Sequence, residues 1–157
     1  MCSSLSSHEE SYDYSNPKVW FSRAQITLSE AERAADNQNK ARLAIEAAEL
    51  ALKSLLVKKG CFTEKDETHK LSDLFDKLKK CGALQSPEKV KELVGKIERV
   101  QAYHKVINTK VEVCNEEQVG NLRYPLKEEL EISSEIAEQK CNVARSLLNI
   151  VKEEMQR

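Results

Sequence analysis

The stretch "KARLAIEAAELALKSLLVKKG", Lys40 to Gly60, decides the fold class. Its Ala, Leu, Glu and Lys are strong helix formers, which predicts about five turns of helix closed by Gly60. With about 100° between successive residues, Ala41, Ala44, Ile45, Ala48, Ala51, Leu52, Leu55 and Leu56 share one broad apolar face. Leu43, Leu50 and Val57 form a second apolar line on the opposite side, which leaves Arg42, Glu46, Glu49 and Lys53 as the strip expected to meet water. A helix covered on two sides belongs in the middle of a bundle, where alanines let neighbouring backbones approach closely. Helix four and a second subunit are both candidates to cover the Leu43 line.

On either side the same helical spacing recurs. Asn16 before Pro17 is a cap followed by a first-turn proline, and Trp20, Ala24, Leu28, Ala31 and Ala35 then predict a helix from about 17 to 36. The polar "DNQNK" separates it from helix two. Beyond the loop "CFTEKDET", Leu71, Leu74, Phe75 and Leu78 predict a third helix ended by Gly82. Ser86 and Pro87 open a fourth. Its stripe of Val90, Leu93, Ile97, Val100, His104, Ile107 and Val111 predicts that it continues to about residue 111. Gly120 and Pro125 break the pattern, and a last helix from about Ser133 to Met155 carries Ile136, Val143, Leu147 and Ile150. The expected architecture is an all-α, up-and-down bundle of four to five helices over residues 17–157. The polar "MCSSLSSHEESYDYSN" of residues 1–16 is expected to be a disordered tail.

Composition agrees. Of 157 residues, 32% are charged and 40% hydrophobic, with only four Gly and three Pro, as in a soluble helical domain. A chain of this size buries roughly 70% of its unfolded surface, enough for one core. The formal charge of -1 confines any contact with RNA to a local patch. No apolar run approaches the roughly 18 residues that span a bilayer, and no secretory leader is present, so no membrane association and a cytoplasmic location are expected. Cys2, Cys61, Cys81, Cys114 and Cys141 are odd in number and lack a CxxC, which fits reduced thiols, with no metal site and no cofactor expected. No P-loop, GxGxxG, HExxH or nucleophile elbow is present.

Four stretches in order resemble the HEPN family (higher eukaryotes and prokaryotes nucleotide-binding domain). Glu49, Ala51, Leu52 and Lys53 match its "AExALKALL" segment, and His69 and Leu71 match a "tHdL" stretch. Arg123, Tyr124 and Pro125 match "RYP", and "ARSLLNIV" falls on its closing helix. The resemblance spans roughly residues 17–156. It implies a helical bundle that usually dimerises, and a nucleotide- or RNA-associated role. Many members are RNA-cutting toxins or work beside a minimal nucleotidyltransferase in toxin-antitoxin-type modules, while others are non-catalytic interaction domains.

Family ribonucleases carry an Arg and, after four to six residues, a His. Here "RVQAYH" places Arg99 and His104 in that relation, with Val100 after the Arg and Val106 where a Tyr often stands. Metal-independent cleavage needs a base for the 2′-hydroxyl, an acid for the leaving oxygen and a cation for the phosphorane. Arg and His supply those groups, doubled by a twofold axis in a homodimer. The alternative is that His104 fills an apolar stripe while Arg99 is solvated, since residues five apart on one helix diverge by about 140°. His69, Arg123 and Tyr124 are the nucleotide-binding candidates, offering an imidazole, a guanidinium and a stacking ring. Packing and ion-pairing roles are the alternatives for each. Lys53, Lys58, Lys59, Lys77, Lys79 and Lys80 gather near the ends of helices two and three, where lysines also suit the helix dipole.

Overall fold

A computed structural model describes residues 15–63, 68–98, 103–107, 110–114 and 130–157, with Glu98 and the strand residues described by their backbone. Helix α1 is Pro17–Arg33, capped by Asn16, whose Oδ1 accepts from the Lys18 N–H at 3.0 Å. Helix α2 is Asn37–Lys58, capped by Asp36, whose Oδ2 accepts from the Asn39 N–H at 2.8 Å. The break therefore falls at 34–36, a few residues earlier than expected. Helices α3, Leu71–Lys80, α4, Pro87–Glu98, and α5, Ser134–Met155, complete the bundle. The Ser133 hydroxyl caps α5 by accepting from the Ile136 N–H at 3.2 Å.

The helical bundle is as the apolar spacing predicted. The extension of helix four to Val111 is not. After Glu98 the chain forms three short strands, β1 Tyr103–Ile107, β2 Lys110–Cys114 and β3 Leu130–Glu131, in an antiparallel sheet ordered β2-β1-β3. The physical reason lies in Val106, Ile107, Val111 and Val113: β-branched residues lose rotamer freedom in a helix and suit a pleated surface. "KVEVC" also alternates with a period of two, so two periodicities compete and the strand wins.

Helix α2 is the hub, touching α1, α3 and α5, while α4 packs on α3 and α5. Ala44, Ala47, Ala48, Ala51, Leu52, Leu55 and Leu56 are fully buried on it. Leu43 and Leu50 lie half-buried against the core, and Val57 is half-buried too. The solvent strip is narrower than expected, because Glu49 and Lys53 are buried, at 5% and 2% exposure. The wet positions are only the half-buried Arg42 and Glu46, paired at 3.4 Å. At the other end Gly60 adopts φ 72°, which spares any Cβ strain, and the Cys61 N–H turns back to the Leu56 carbonyl at 2.9 Å.

Two buried lysines tie helix ends together. Lys40 on α2 donates to the Glu32 carbonyl in the last turn of α1 at 3.0 Å and pairs with Glu138 on α5 at 3.0 Å. Lys140 on α5 donates to the Ile97 carbonyl, near the point where α4 stops. Each satisfies a terminal carbonyl that the helix itself leaves without a partner. Glu154, also buried, accepts from the Gln85 N–H at 3.3 Å and from Arg157 Nη2 at 2.5 Å, fastening the end of α5 to the α3–α4 connection.

The connection from α2 to α3 reverses the chain. His69, just ahead of α3, meets Glu49 in the middle of α2. Helix α3 therefore starts beside the middle of α2 and packs on it. Its buried Leu71, Leu74, Phe75 and Leu78 face inward. Phe62 anchors the returning segment by an edge contact with Trp20 of α1, ring centroids 5.4 Å apart.

Candidate functional site

Of the candidate residues, His69 is the one whose side chain is described. It immediately precedes Lys70, the N-cap residue of α3, and its side chain is 56% exposed. Its Nδ1 lies 3.2 Å from both Oε1 and Oε2 of Glu49. The carboxylate also pairs with Lys53 Nζ at 3.2 Å, one turn further along α2. The Glu49 and Lys53 side chains are only 6% and 3% exposed. A charged pair removed from water is sustained by mutual attraction and further hydrogen bonds, and His69 supplies one such bond from the solvent side.

The arrangement has a chemical consequence. With Nδ1–H donated to a carboxylate, a neutral imidazole carries its acceptor lone pair on Nε2; protonated, it presents an N–H there instead. A carboxylate behind Nδ1 is the device that orients imidazoles for proton transfer or ligand binding. Lys53 is committed to Glu49 inside the bundle, which corrects its place in the expected surface cluster. Lys58, Lys59, Lys79 and Lys80 are exposed at the C-terminal ends of α2 and α3, and Lys77 is half-buried.

The remaining candidates are placed only in part. Arg99, Arg123 and Tyr124 lie outside the described residues. His104 sits on β1, not on a helix, at a register position between Val113 of β2 and Glu131 of β3. The angular objection to pairing Arg99 with His104 assumed one continuous helix, and His104 lies on a strand. Among the described residues, no three His, Cys, Asp or Glu side chains converge as metal ligands, and no helix is long and apolar enough to cross a membrane.

Sequence reading missed the part played by Glu49 and Lys53. One signal was present: an acid four residues before a lysine on a helix flanked by apolar lines on both sides has little water to share. The buried Lys40 and Lys140 gave no comparable signal, because their partners are carbonyls and a carboxylate of other elements.

Comparison with curated proteins and with solved structures gives no significant match. A family model, described as HEPN domain, matches residues 17–154, nearly the whole helical bundle together with its sheet. With its hub helix, the Glu49–His69 contact and the closing α5 all inside that match, the chain belongs to the HEPN domain family.

Proposed function

We propose that this chain is a nucleotide- or RNA-associated domain of the cytoplasm, working as a homodimer or beside a minimal nucleotidyltransferase-type partner in a toxin-antitoxin-type module. The observation that carries this reading is His69, an imidazole held at Nδ1 by a buried carboxylate and with more than half of its side chain exposed. Such a group offers a hydrogen bond to a phosphate oxygen or a base edge. Arg123 and Tyr124 are the residues proposed to add a guanidinium and a stacking ring.

The test is titration of the purified chain with ATP, other nucleotides and single-stranded RNA, followed by thermal unfolding. A ligand at 100 times its dissociation constant should add about 2.7 kcal/mol, and His69→Ala should abolish that gain while leaving the unliganded fold intact. If no nucleotide or RNA shifts the transition, the reading falls and a protein-interaction role replaces it. The enzymatic version assigns RNA cleavage in EDTA to Arg99 and His104. It predicts that His104→Ala removes the activity.

A further inference from the structure

The two ring nitrogens of His69 have different surroundings. Both Glu49 oxygens lie 3.2 Å from Nδ1, and Lys53 Nζ holds the same carboxylate at 3.2 Å from inside the bundle. Among the described residues no group hydrogen-bonds to Nε2. The ring is thus anchored from the core while more than half of the side chain stays exposed. With the Nδ1 proton donated to Glu49, the lone pair rests on Nε2, and the carboxylate makes that nitrogen the more basic and nucleophilic. An imidazole backed by a carboxylate, itself fixed by a cation, is a nucleophile with its orienting groups already in place.

We propose that His69 is a phosphoryl-acceptor site, modified on Nε2 by a small acyl phosphate of the acetyl phosphate class. The Nε2 lone pair attacks phosphorus in line with the bridging oxygen, an N–P bond forms, the P–O bond to the acetyl group breaks, and acetate leaves with that electron pair. The Nδ1 proton stays on the ring, where Glu49 accepts its hydrogen bond and offsets the positive charge that the imidazole gains. The choice of donor follows from what the dyad holds. It supplies one oriented nucleophile, and an acyl phosphate asks for nothing more, because acetate leaves as a stable anion without a proton. A nucleoside triphosphate would in addition need the charge on its leaving phosphate neutralised.

Helix α3 begins directly after His69 with no side-chain cap at Lys70, so the positive end of its dipole favours the added phosphoryl charge. Asp73 in its first turn opposes that charge, and its Oδ2 accepts from the Thr68 hydroxyl at 3.3 Å. The modification itself does not depend on nucleotide binding. Its consequence rests on the proposed function: a phosphoryl group on Nε2 takes up the lone pair offered to a nucleotide or RNA and repels the ligand's own phosphates, so it switches that contact off.

The test is incubation of the native chain with acetyl phosphate, followed by phosphorus NMR and by peptide mapping at alkaline pH, which preserves an N–P bond. The expected product carries one phosphoryl group on Nε2 of His69, stable in base and lost in acid. His69→Ala should take up none there. Glu49→Gln, checked for folding by circular dichroism, should react about tenfold more slowly and divide the label between Nε2 and Nδ1. Should that variant unfold, the native chain is its own control, since in urea His69 should react about tenfold more slowly and lose its preference over His8 and His104. Label on His8 or His104 in place of His69, label on Nδ1 of native His69, equal rates in the native and unfolded chain, or no reaction overturns the proposal. Thermal stabilisation of the unmodified chain by ATP or RNA reports separately on nucleotide binding. A chain that is stabilised but takes no label defeats this proposal alone, and a labelled chain that no nucleotide or RNA stabilises defeats the binding reading alone.

Discussion

Glu49 holds His69 with both of its carboxylate oxygens at 3.2 Å from Nδ1, while its own helix keeps it buried beside Lys53. The contact joins the hub of the core to the start of α3. A buried charge pair is costly on its own terms, and replacing such a pair by apolar residues is often neutral or stabilising. Its retention here fits a role in orienting the exposed imidazole.

Removing one partner of the pair should therefore hurt more than removing both. Glu49→Ala leaves the Lys53 ammonium buried without its carboxylate and should lower unfolding stability by about 3 kcal/mol. The double substitution Glu49→Leu with Lys53→Met should recover most of that loss in urea unfolding. Additive losses in the double variant would mean that the two side chains are not coupled.

Leu50 probes the second apolar line of α2. It is half-buried against the core, so Leu50→Lys can extend its ammonium to water and should cost about 1 kcal/mol without unfolding the chain. If the exposed part of the line forms the proposed homodimer interface, light scattering should show the variant as a folded monomer. A wild-type chain that is already monomeric would remove the dimer.

Proline at Val106 separates strand from helix in the region that sequence reading assigned to helix four. Val106 pairs with Val111 across the β1–β2 ladder. Val106→Pro puts a proline in the central strand of the sheet and should release the sheet while leaving the helical circular dichroism signal unchanged. Loss of several residues' worth of helical signal would restore the helical reading of this segment.

The helices were legible because their stripes are long and their ends are marked. Asn16-Pro17, Gly60, Gly82 and Ser133 each stand at or beside an observed terminus. The sheet was hidden because Val100, His104, Ile107 and Val111 satisfy the helical period by coincidence, while the alternation that favours a strand covers only a few residues. His69 was legible as a helix-start histidine. Its carboxylate partner was not, since twenty residues separate them and only the chain reversal between α2 and α3 brings them together.

The titration of Cys81 gives a pH prediction. Its pKa of about 11 in the fold lies above the ordinary 9.0, so the native state holds a proton that the unfolded chain releases. That contribution to stability is complete below pH 9.0 and is lost as pH rises through about 11. Iodoacetamide labelling of Cys81 in native protein should accordingly lag behind labelling in urea across this window. Equal rates throughout would remove the perturbation.

The most direct measurement of the account is long-range proton–nitrogen correlation NMR on His69, with and without nucleotide. The account predicts an Nδ1–H tautomer in the free wild-type chain, its loss in Glu49→Ala, and a shift confined mainly to Nε2 when ATP or RNA is added. An imidazole that exchanges between tautomers in the wild type, or whose Nε2 ignores every ligand that binds the chain, would contradict it.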